Sequence, residues 1–216
     1  MGIKIHGAAF STCTQRVAVV LREKNIPFEI VPVNVAAGQH KGEEFLKLQP
    51  FGQIPVLEDD GFFLFESRAI GRYIESKYKS QGTSLAPADL KGAAVVEQWA
   101  SVEVANFDPN ASGIVAELLF KKLFNRGEPD LERVKQLRAK LDATLDVYDK
   151  VLAKQPYLTG QQVSLADLFH LPYGTKLFDA SVQHGDAITS RPNVKAWWER
   201  LTSRTTWQET VAAAAH

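Results

Sequence analysis

The sequence of 216 residues has one cysteine, no excess of charge of either sign and no long hydrophobic run. The one cysteine, Cys13, excludes an intramolecular disulfide and a metal site built from several thiolates, and the histidines lack metal-ligand spacing. Lys and Arg number 25, as do Asp and Glu, which speaks against a nucleic-acid partner because such binding needs a basic surface. No apolar run approaches about 18 residues, and no secretory signal is recognisable. We therefore expect a cytoplasmic protein with no metal and no membrane or nucleic-acid partner.

The residues that are present favour a globular chain. Hydrophobic residues make up 45% of the sequence and charged residues 23%, a composition that can build a core. In residues 1–79, β-branched and aromatic runs alternate with segments of helical spacing, which favours an α/β unit. The predicted strands are 3–6, 28–33, 56–57 and 62–65, and the predicted helices are 11–24, 43–48 and 67–78. Their order is βαβ followed by ββα.

The second part of the chain has a different pattern. Residues 80–88 are polar and rich in turn-forming residues, which indicates a linker. Strand signals then disappear, and apolar residues recur at helical spacing. The predicted helices are 90–124, with a kink or a break near Pro109, then 131–154, 164–178 and 192–201, before a frayed tail at 212–215. Ser164 and Asp167 have the spacing of a capping box. We therefore predict a first domain at 1–79, a linker at 80–88 and an all-helical domain at 89–216.

Several short motifs, in this order and spacing, resemble the phi class of cytosolic glutathione transferases along nearly the whole chain. They are Gly7-Ala8-Ala9-Phe10-Ser11, Glu-Lys-Asn at 23–25, His40-Lys41, Gln-Pro-Phe-Gly-Gln-Ile-Pro at 49–55, Leu-Phe-Glu-Ser-Arg-Ala-Ile at 64–70, Phe107-Asp108-Pro109, Tyr157-Leu158-Thr159-Gly160, Ser164-Leu165-Ala166-Asp167-Leu168 and Arg191-Pro192-Asn193-Val194. The resemblance implies an α/β thioredoxin-like N-terminal domain (βαβ-ββα), with a cis peptide bond before Pro55, followed by an all-α C-terminal domain. It also implies glutathione as co-substrate.

Ser11 is the catalytic residue that this resemblance implies. A glutathione thiol with a pKa of about 8.5 is mostly protonated at neutral pH, whereas the thiolate is the nucleophile. Lowering that pKa to about 6.5 requires about 2.7 kcal/mol. A hydroxyl that donates to the sulfur anion supplies about 1.5–3 kcal/mol, and a helix N-terminus adds about 0.3–1 kcal/mol. Other classes use a tyrosine in the first strand, but the first tyrosine here is Tyr73. Without the resemblance, Ser11 is more simply a helix cap.

The resemblance also implies a set of glutathione-binding residues. They are His40, Lys41, Gln53, Ile54, Pro55, Glu66 and Ser67. Ser67, at a helix start, would hold the γ-glutamyl carboxylate, and Glu66 would face the ammonium group. Without the resemblance, these two residues form an ordinary helix cap.

The other residues of this set would bind the rest of the tripeptide. His40 and Lys41 would meet the glycyl carboxylate, although by themselves they are solvated loop residues. The backbone of Ile54, beside the cis bond at Pro55, would pair with the cysteinyl residue like a strand. Gln53 would reach the γ-glutamyl group.

By the same similarity, apolar side chains would form a pocket for the electrophile between the two domains. The candidates are Phe10, Val35, Ala116, Leu119 and Phe120. Leu and Phe at helical spacing are as often core residues. Substrates would be hydrophobic electrophiles, with organic hydroperoxides reduced as a secondary activity.

Two other functions remain open at this point. Cys13 lies two residues after Ser11 at the same helix start, so that a thiol transferase acting through a mixed disulfide is one alternative. A non-catalytic carrier of apolar ligands is the other. Members of the family pair as two-fold dimers, which implies a homodimer with Phe51 and Arg68 as interface candidates.

Overall fold

The computed structural model describes residues 2–214, and its internal contacts divide the chain into two units. The first unit contains the chain up to Leu85 together with the segment from Arg204 onward, and the second unit is Ala86–Ser203. The predicted division assigns 80–88 to a linker and everything from 89 to 216 to the helical domain. The structure differs at both places, because residues 80–85 and the last helix pack on the first unit. Of the predicted tail, Ala215 lies outside the described residues.

The first unit is built around a mixed sheet. Within the described part of this unit, four strands pair in the order β2-β1-β3-β4, with β1 and β2 parallel and the other neighbours antiparallel. The elements up to Leu85 are β1 (Ile3–Gly7), α1 (Thr12–Glu23), β2 (Phe28–Pro32), a 3₁₀ turn (Gln39–Lys41), α2 (Glu43–Leu48), β3 (Val56–Asp59), β4 (Phe62–Phe65) and α3 (Ser67–Lys77). The predicted βαβ-ββα order of a thioredoxin-like fold is confirmed.

Side-chain alternation and helix packing explain this sheet. In β1, Ile3 and Ile5 are buried while Lys4 and His6 are half-buried, as expected because side chains alternate between the two faces of a strand. In β3, which like β1 is an interior strand, both Val56 and Leu57 are fully buried. Helices α1 and α3 pack against each other, and Phe45 of α2 joins a separate apolar cluster that includes Val56.

In the described residues of the second unit, the regular elements are helices. They are α4 (Leu90–Val102), α5 (Asp108–Val115), α6 (Lys121–Leu123), α7 (Leu131–Leu152), α8 (Leu165–Phe169), α9 (Leu171–Lys176), α10 (Asp186–Thr189) and α11 (Pro192–Thr202), with π-helical segments at Glu103–Phe107 and Ala116–Phe120. The predicted all-α character is confirmed. Near Pro109, where the sequence predicts a kink or a break, the helix passes through the π-helical segment at Glu103–Phe107 into α5. Proline has no N–H that could donate to the carbonyl four residues earlier, and a π turn accommodates this missing hydrogen bond.

Asp167 connects three parts of the second unit. Its Oδ2 accepts hydrogen bonds from the N–H and the hydroxyl of Ser164, each at 2.9 Å. Its Oδ1 accepts from the N–H of Leu158 at 3.0 Å and from the indole Nε1 of Trp197 at 2.9 Å. The predicted pairing of Ser164 with Asp167 is confirmed. In addition, a buried carboxylate joins the start of α8 to α11 and to a preceding loop.

Glu23 connects the two chain segments that make up the first unit. Its carboxylate is buried at the end of α1 and accepts from Arg204 Nε at 2.6 Å and from Arg204 Nη2 at 2.7 Å, just before the last helix, α12 (Thr205–Ala212). Burial raises the pKa of Glu23, but hydrogen bonds from Arg204, Thr206 and Thr83 outweigh it, and the pKa lies below its usual value. The carboxylate is therefore ionised and fixes the chain end on α1.

We predict that removing the Asp167 acceptor destabilises the protein more than removing the Ser164 hydroxyl. Ser164→Ala should lower the free energy of unfolding by about 0.5–2 kcal/mol. Asp167→Ala should cost at least about 1 kcal/mol more, because buried donors from several elements lose their acceptor. Urea unfolding followed by circular dichroism measures both, with exposed Ser181→Ala as the control. Equal losses in the two variants would contradict this role of Asp167.

We also predict an acid-dependent stability that Glu23 supplies. Because its pKa is lower in the folded than in the unfolded chain, its contribution is present above about pH 4.3 and is lost as the pH falls through the folded-state pKa. Glu23→Gln should lower the free energy of unfolding by about 1–3 kcal/mol at neutral pH and flatten the acid limb of its pH profile. Exposed Glu29→Gln is the control, and a profile unchanged by Glu23→Gln would refute the assignment.

Candidate functional site

The sheet register brings the candidate site segments of the first unit to one edge. Gly7 pairs with Pro32, His6 pairs with Val56, and Val56 pairs with Phe65. The carboxyl ends of β1, β2 and β4 therefore lie at the same edge as the amino end of β3. The predicted glutathione-binding and catalytic residues of this unit lie in the segments that enter or leave the sheet there, namely Ser11, His40, Lys41, Gln53, Ile54, Pro55, Glu66 and Ser67.

Ser11 is the N-cap of α1. Its backbone is extended, with φ −69° and ψ 128°, and its N–H donates to the carbonyl of Ala8 at 2.9 Å. Its hydroxyl oxygen accepts from the N–H of Thr14 at 3.5 Å, which is long for a cap. Because this bond uses only a lone pair, the hydroxyl proton can be donated elsewhere. Capping and donation to a ligand are therefore compatible roles for Ser11.

Arg16 is a site residue that the sequence reasoning missed. Its side chain is fully buried, and its Nη1 donates to the hydroxyl oxygen of Ser67 at 2.9 Å and to Cys13 Sγ at 3.4 Å. Its sequence context, between Gln15 and Val17, gave no signal that this arginine is buried. Arg16 thus connects the first turn of α1 with the first residue of α3.

The start of α3 has an unusual backbone. Glu66 precedes it with a φ of +69°, a left-handed conformation that is uncommon for residues other than glycine. Its exposed side chain forms no capping hydrogen bond within the described chain. The buried Ser67 follows as the first helical residue. That this helix N-terminus binds an anion stays a prediction.

His40 and Lys41 differ in their electrostatic state. Burial and the neighbouring charge of Lys41 hold the pKa of His40 below its usual value, so the ring is neutral at pH 7. His40 Nδ1 is buried without a hydrogen-bond partner among the described residues. Lys41 Nζ donates to the carbonyl of Phe51 at 2.8 Å and keeps further donors for an anion. Gly52, with a φ of +59°, permits this approach, since a Cβ there would lie 2.7 Å from Lys41 Cδ.

The loop before β3 has the predicted backbone geometry. The peptide bond between Ile54 and Pro55 is cis. Ile54 is half-buried against the cluster around Val56, whereas Gln53 is exposed. Pro55 is buried next to Gly7, and a Cβ on residue 7 would lie 3.5 Å from the proline Cβ.

The candidate residues for an apolar pocket lie in both units and are outside the core. Phe10 is 55% exposed and directly precedes Ser11, and Val35 is half-buried. In the second unit, Leu119 and Phe120 are half-buried and Ala116 is exposed, all in one π-helical segment. That these residues form one pocket stays a prediction.

Metal-ligating clusters and membrane-spanning helices are both absent from residues 2–214. This part of the chain contains no group of three or more His, Cys, Asp or Glu residues that could hold a metal ion. Among its helices, none is both long and apolar enough to cross a membrane. The cytoplasmic location stays a prediction.

Comparison with known proteins places these observations in a family. The family model for the glutathione S-transferase N-terminal domain matches residues 1–76, and the model for the C-terminal domain matches residues 108–205. Glutathione S-transferase 3 of Zea mays is 47% identical over 98% of this chain and 94% of its own length. Glutathione S-transferase hmp2 of Hypomyces subiculosus is 45% identical over 99% of this chain and 100% of its own.

Solved structures agree with this result. Glutathione transferase F7 of Populus trichocarpa superposes with a TM-score of 0.94 at 42% identity, covering 98% of this chain and 99% of that one. Glutathione S-transferase I from maize, in complex with an atrazine glutathione conjugate, gives a TM-score of 0.90 at 34% identity over 100% of this chain and 99% of that one. The chain therefore belongs to the glutathione S-transferase family, and within it to the phi class.

Proposed function

We propose that this transferase activates the thiol of glutathione through the Ser11 hydroxyl and transfers it to hydrophobic electrophiles. The observation that carries the proposal is the common sheet edge, where Ser11 and the candidate ligands for each part of glutathione come together. The maize relative that binds an atrazine glutathione conjugate supports an aromatic carbon centre as one kind of target.

Glutathione has two carboxylates, and the first unit offers a separate cationic position for each. The start of α3, with the N–H and hydroxyl of Ser67, would bind the γ-glutamyl carboxylate, and the exposed Glu66 would accept from the ammonium group. Lys41 would meet the glycyl carboxylate. His40 would add a ring nitrogen as a hydrogen-bond partner.

The cysteinyl part would bind between these two positions. The backbone of Ile54 would pair with it in the manner of a strand, with Pro55 fixing the loop and Gln53 reaching toward the γ-glutamyl group. The sulfur would then lie near Ser11. Ser11 Oγ would donate its proton to the thiolate while it still accepts the long bond from Thr14.

The chemical step needs no further protein group. The thiol proton leaves to solvent, the sulfur lone pair forms the S–C bond, and the leaving group departs with its electron pair. With an organic hydroperoxide, the sulfur attacks oxygen and an alcohol leaves. A second glutathione then reduces the oxidised sulfur and forms glutathione disulfide and water. Ser11 stabilises the same thiolate in both reactions, so both activities should depend on it.

Two alternatives stay distinguishable from this proposal. The contact of Arg16 Nη1 with Cys13 Sγ at 3.4 Å places a cation beside the one cysteine of the sequence, and this observation favours a thiol transferase as one alternative. In that case Cys13→Ser abolishes reduction of mixed disulfides and Ser11→Ala leaves it intact. A non-catalytic carrier would instead bind apolar ligands tightly and conjugate none of them.

We predict that Ser11→Ala lowers kcat/KM for conjugation of an aryl halide roughly 10- to 100-fold, because a charge-assisted hydrogen bond to the thiolate is lost. Ultraviolet titration of the bound thiol should show its pKa rising toward about 8.5. Ser11→Thr, which keeps the hydroxyl, should retain more activity. Thr12→Ala removes the neighbouring hydroxyl and is the matched control. Wild-type activity in Ser11→Ala would refute the mechanism.

We also propose a homodimer, with Phe51 and Arg68 as the interface candidates. Phe51 is 67% exposed, its ring centroid lies 6.4 Å from that of Phe65, and Phe62 and Phe63 of the edge strand β4 are exposed as well. Phe62 and Phe63 point to opposite faces of β4, so Phe51 with Phe63 and Phe65 is the apolar surface that a second copy can cover.

Light scattering during size exclusion tests the dimer. We expect a mass near twice 23.9 kDa for the wild type and a dimer that Phe51→Ser weakens. Leu131→Ser, at an equally exposed apolar position, is the control. A monomer mass at all micromolar concentrations would contradict the proposal.

A further inference from the structure

A buried cation lies directly under the proposed binding position for the γ-glutamyl carboxylate. The Arg16 side chain has no exposed surface, although it carries a charge whose desolvation is costly. Its Nη1 donates to Ser67 Oγ at 2.9 Å, across 51 positions of sequence.

The hydrogen-bond chemistry of this contact fixes the direction of the Ser67 hydroxyl. A guanidinium has only donors, so Ser67 Oγ accepts in this bond, and its own proton points elsewhere. A hydroxyl that accepts from a cation is also a stronger donor, because hydrogen bonds in a chain polarise one another. Ser67 is therefore prepared to donate to an anion at the start of α3.

Two sources of positive potential meet at this residue. The N-terminus of α3, which spans Ser67–Lys77, presents the positive end of the helix dipole and first-turn N–H groups that have no acceptor within the helix itself. The Arg16 charge adds to it from the buried side. The same guanidinium contacts Cys13 on the first turn of α1, two residues after Ser11. It thereby links the region of Ser11, which would donate to the thiolate, with Ser67, which would donate to the carboxylate.

We propose that Arg16 is a positioning residue for the γ-glutamyl α-carboxylate of glutathione, acting through the Ser67 hydroxyl. This inference rests on the function proposed above. It assigns to Arg16 the recognition of one carboxylate, and it leaves the chemistry at the sulfur to Ser11. Loss of Arg16 should therefore weaken glutathione binding much more than it slows turnover at saturation.

The experiment compares two thiol tripeptides, namely glutathione and 4-aminobutyryl-cysteinyl-glycine, which lacks only the α-carboxylate. For glutathione, Arg16→Met should raise Kd by calorimetry and KM in the conjugation assay roughly 10- to 100-fold, with kcat changed less than about threefold. For the analogue, wild type and Arg16→Met should agree within about twofold. A merely structural role would weaken both ligands alike.

Two further variants keep the test decisive. Arg16→Lys retains the charge without the guanidinium geometry. Its affinity for glutathione should lie between those of wild type and Arg16→Met, and its affinity for the analogue should equal that of the wild type. In a Ser67→Ala background, Arg16→Met should weaken glutathione binding much less than it does in the wild type, because the two residues act as one unit. Arg22→Met changes an arginine of the same helix that contacts Thr210 instead, and it is the matched control.

Thermal unfolding of each variant identifies a folding defect. If Arg16→Met does not fold, Arg16→Lys and Ser67→Ala provide the test instead. If neither of these variants changes the affinity for glutathione, the proposal is overturned. The proposal is also overturned if folded Arg16→Met loses as much affinity for the analogue as for glutathione. Wild-type protein that binds no glutathione would instead refute the proposed function itself.

Discussion

The pairing of β1 with β2 on one side and β3 on the other is the constraint on which the site depends. It puts Gly7 beside Pro32 and His6 beside Val56. Because Val56 in turn pairs with Phe65, the pairing also sets the position of Phe65 at the end of β4. A slip of one residue would turn every side chain of a strand to the opposite face and displace the loops that follow. Gly7 is part of this constraint, because a Cβ there would lie 2.7 Å from Thr14 Oγ1. The first helix can therefore begin close to the end of the strand.

Buried charged groups serve two purposes in this molecule. Asp167 and Glu23 accept hydrogen bonds from several donors, and each holds together elements that are distant in sequence. Such groups, once their hydrogen bonds are satisfied, restrict the chain to one arrangement. Arg16 and the start of α3 are arranged differently, since the helix N-terminus and the Ser67 hydroxyl keep donor capacity for a ligand. The left-handed backbone at Glu66 belongs to the same region, where strain is characteristic of binding sites.

The sequence was informative where function depends on neighbours along the chain. Ser11 before an apolar helix, Ser164 with Asp167 three residues later, and the proline after Ile54 were all predicted with the local geometry that the structure has. Reasoning from local pattern was insufficient for Arg16, because a long cationic side chain on a helix usually reaches solvent. It was also insufficient for the neutral state of His40, which depends on burial and on the charge of Lys41.

The sequence by itself determined the order of strands and helices in residues 1–79, the caps at Ser11 and Ser164 and the family, because periodicity, turn residues and contacts three positions apart are written in consecutive residues. Tertiary structure alone decided which distant residues meet. Arg16 and Ser67 are 51 positions apart, and Glu23 and Arg204 are 181 apart, so that the last helix belongs to the first unit. Sheet register and helix packing select such partners, and neither leaves a local trace in the residues concerned.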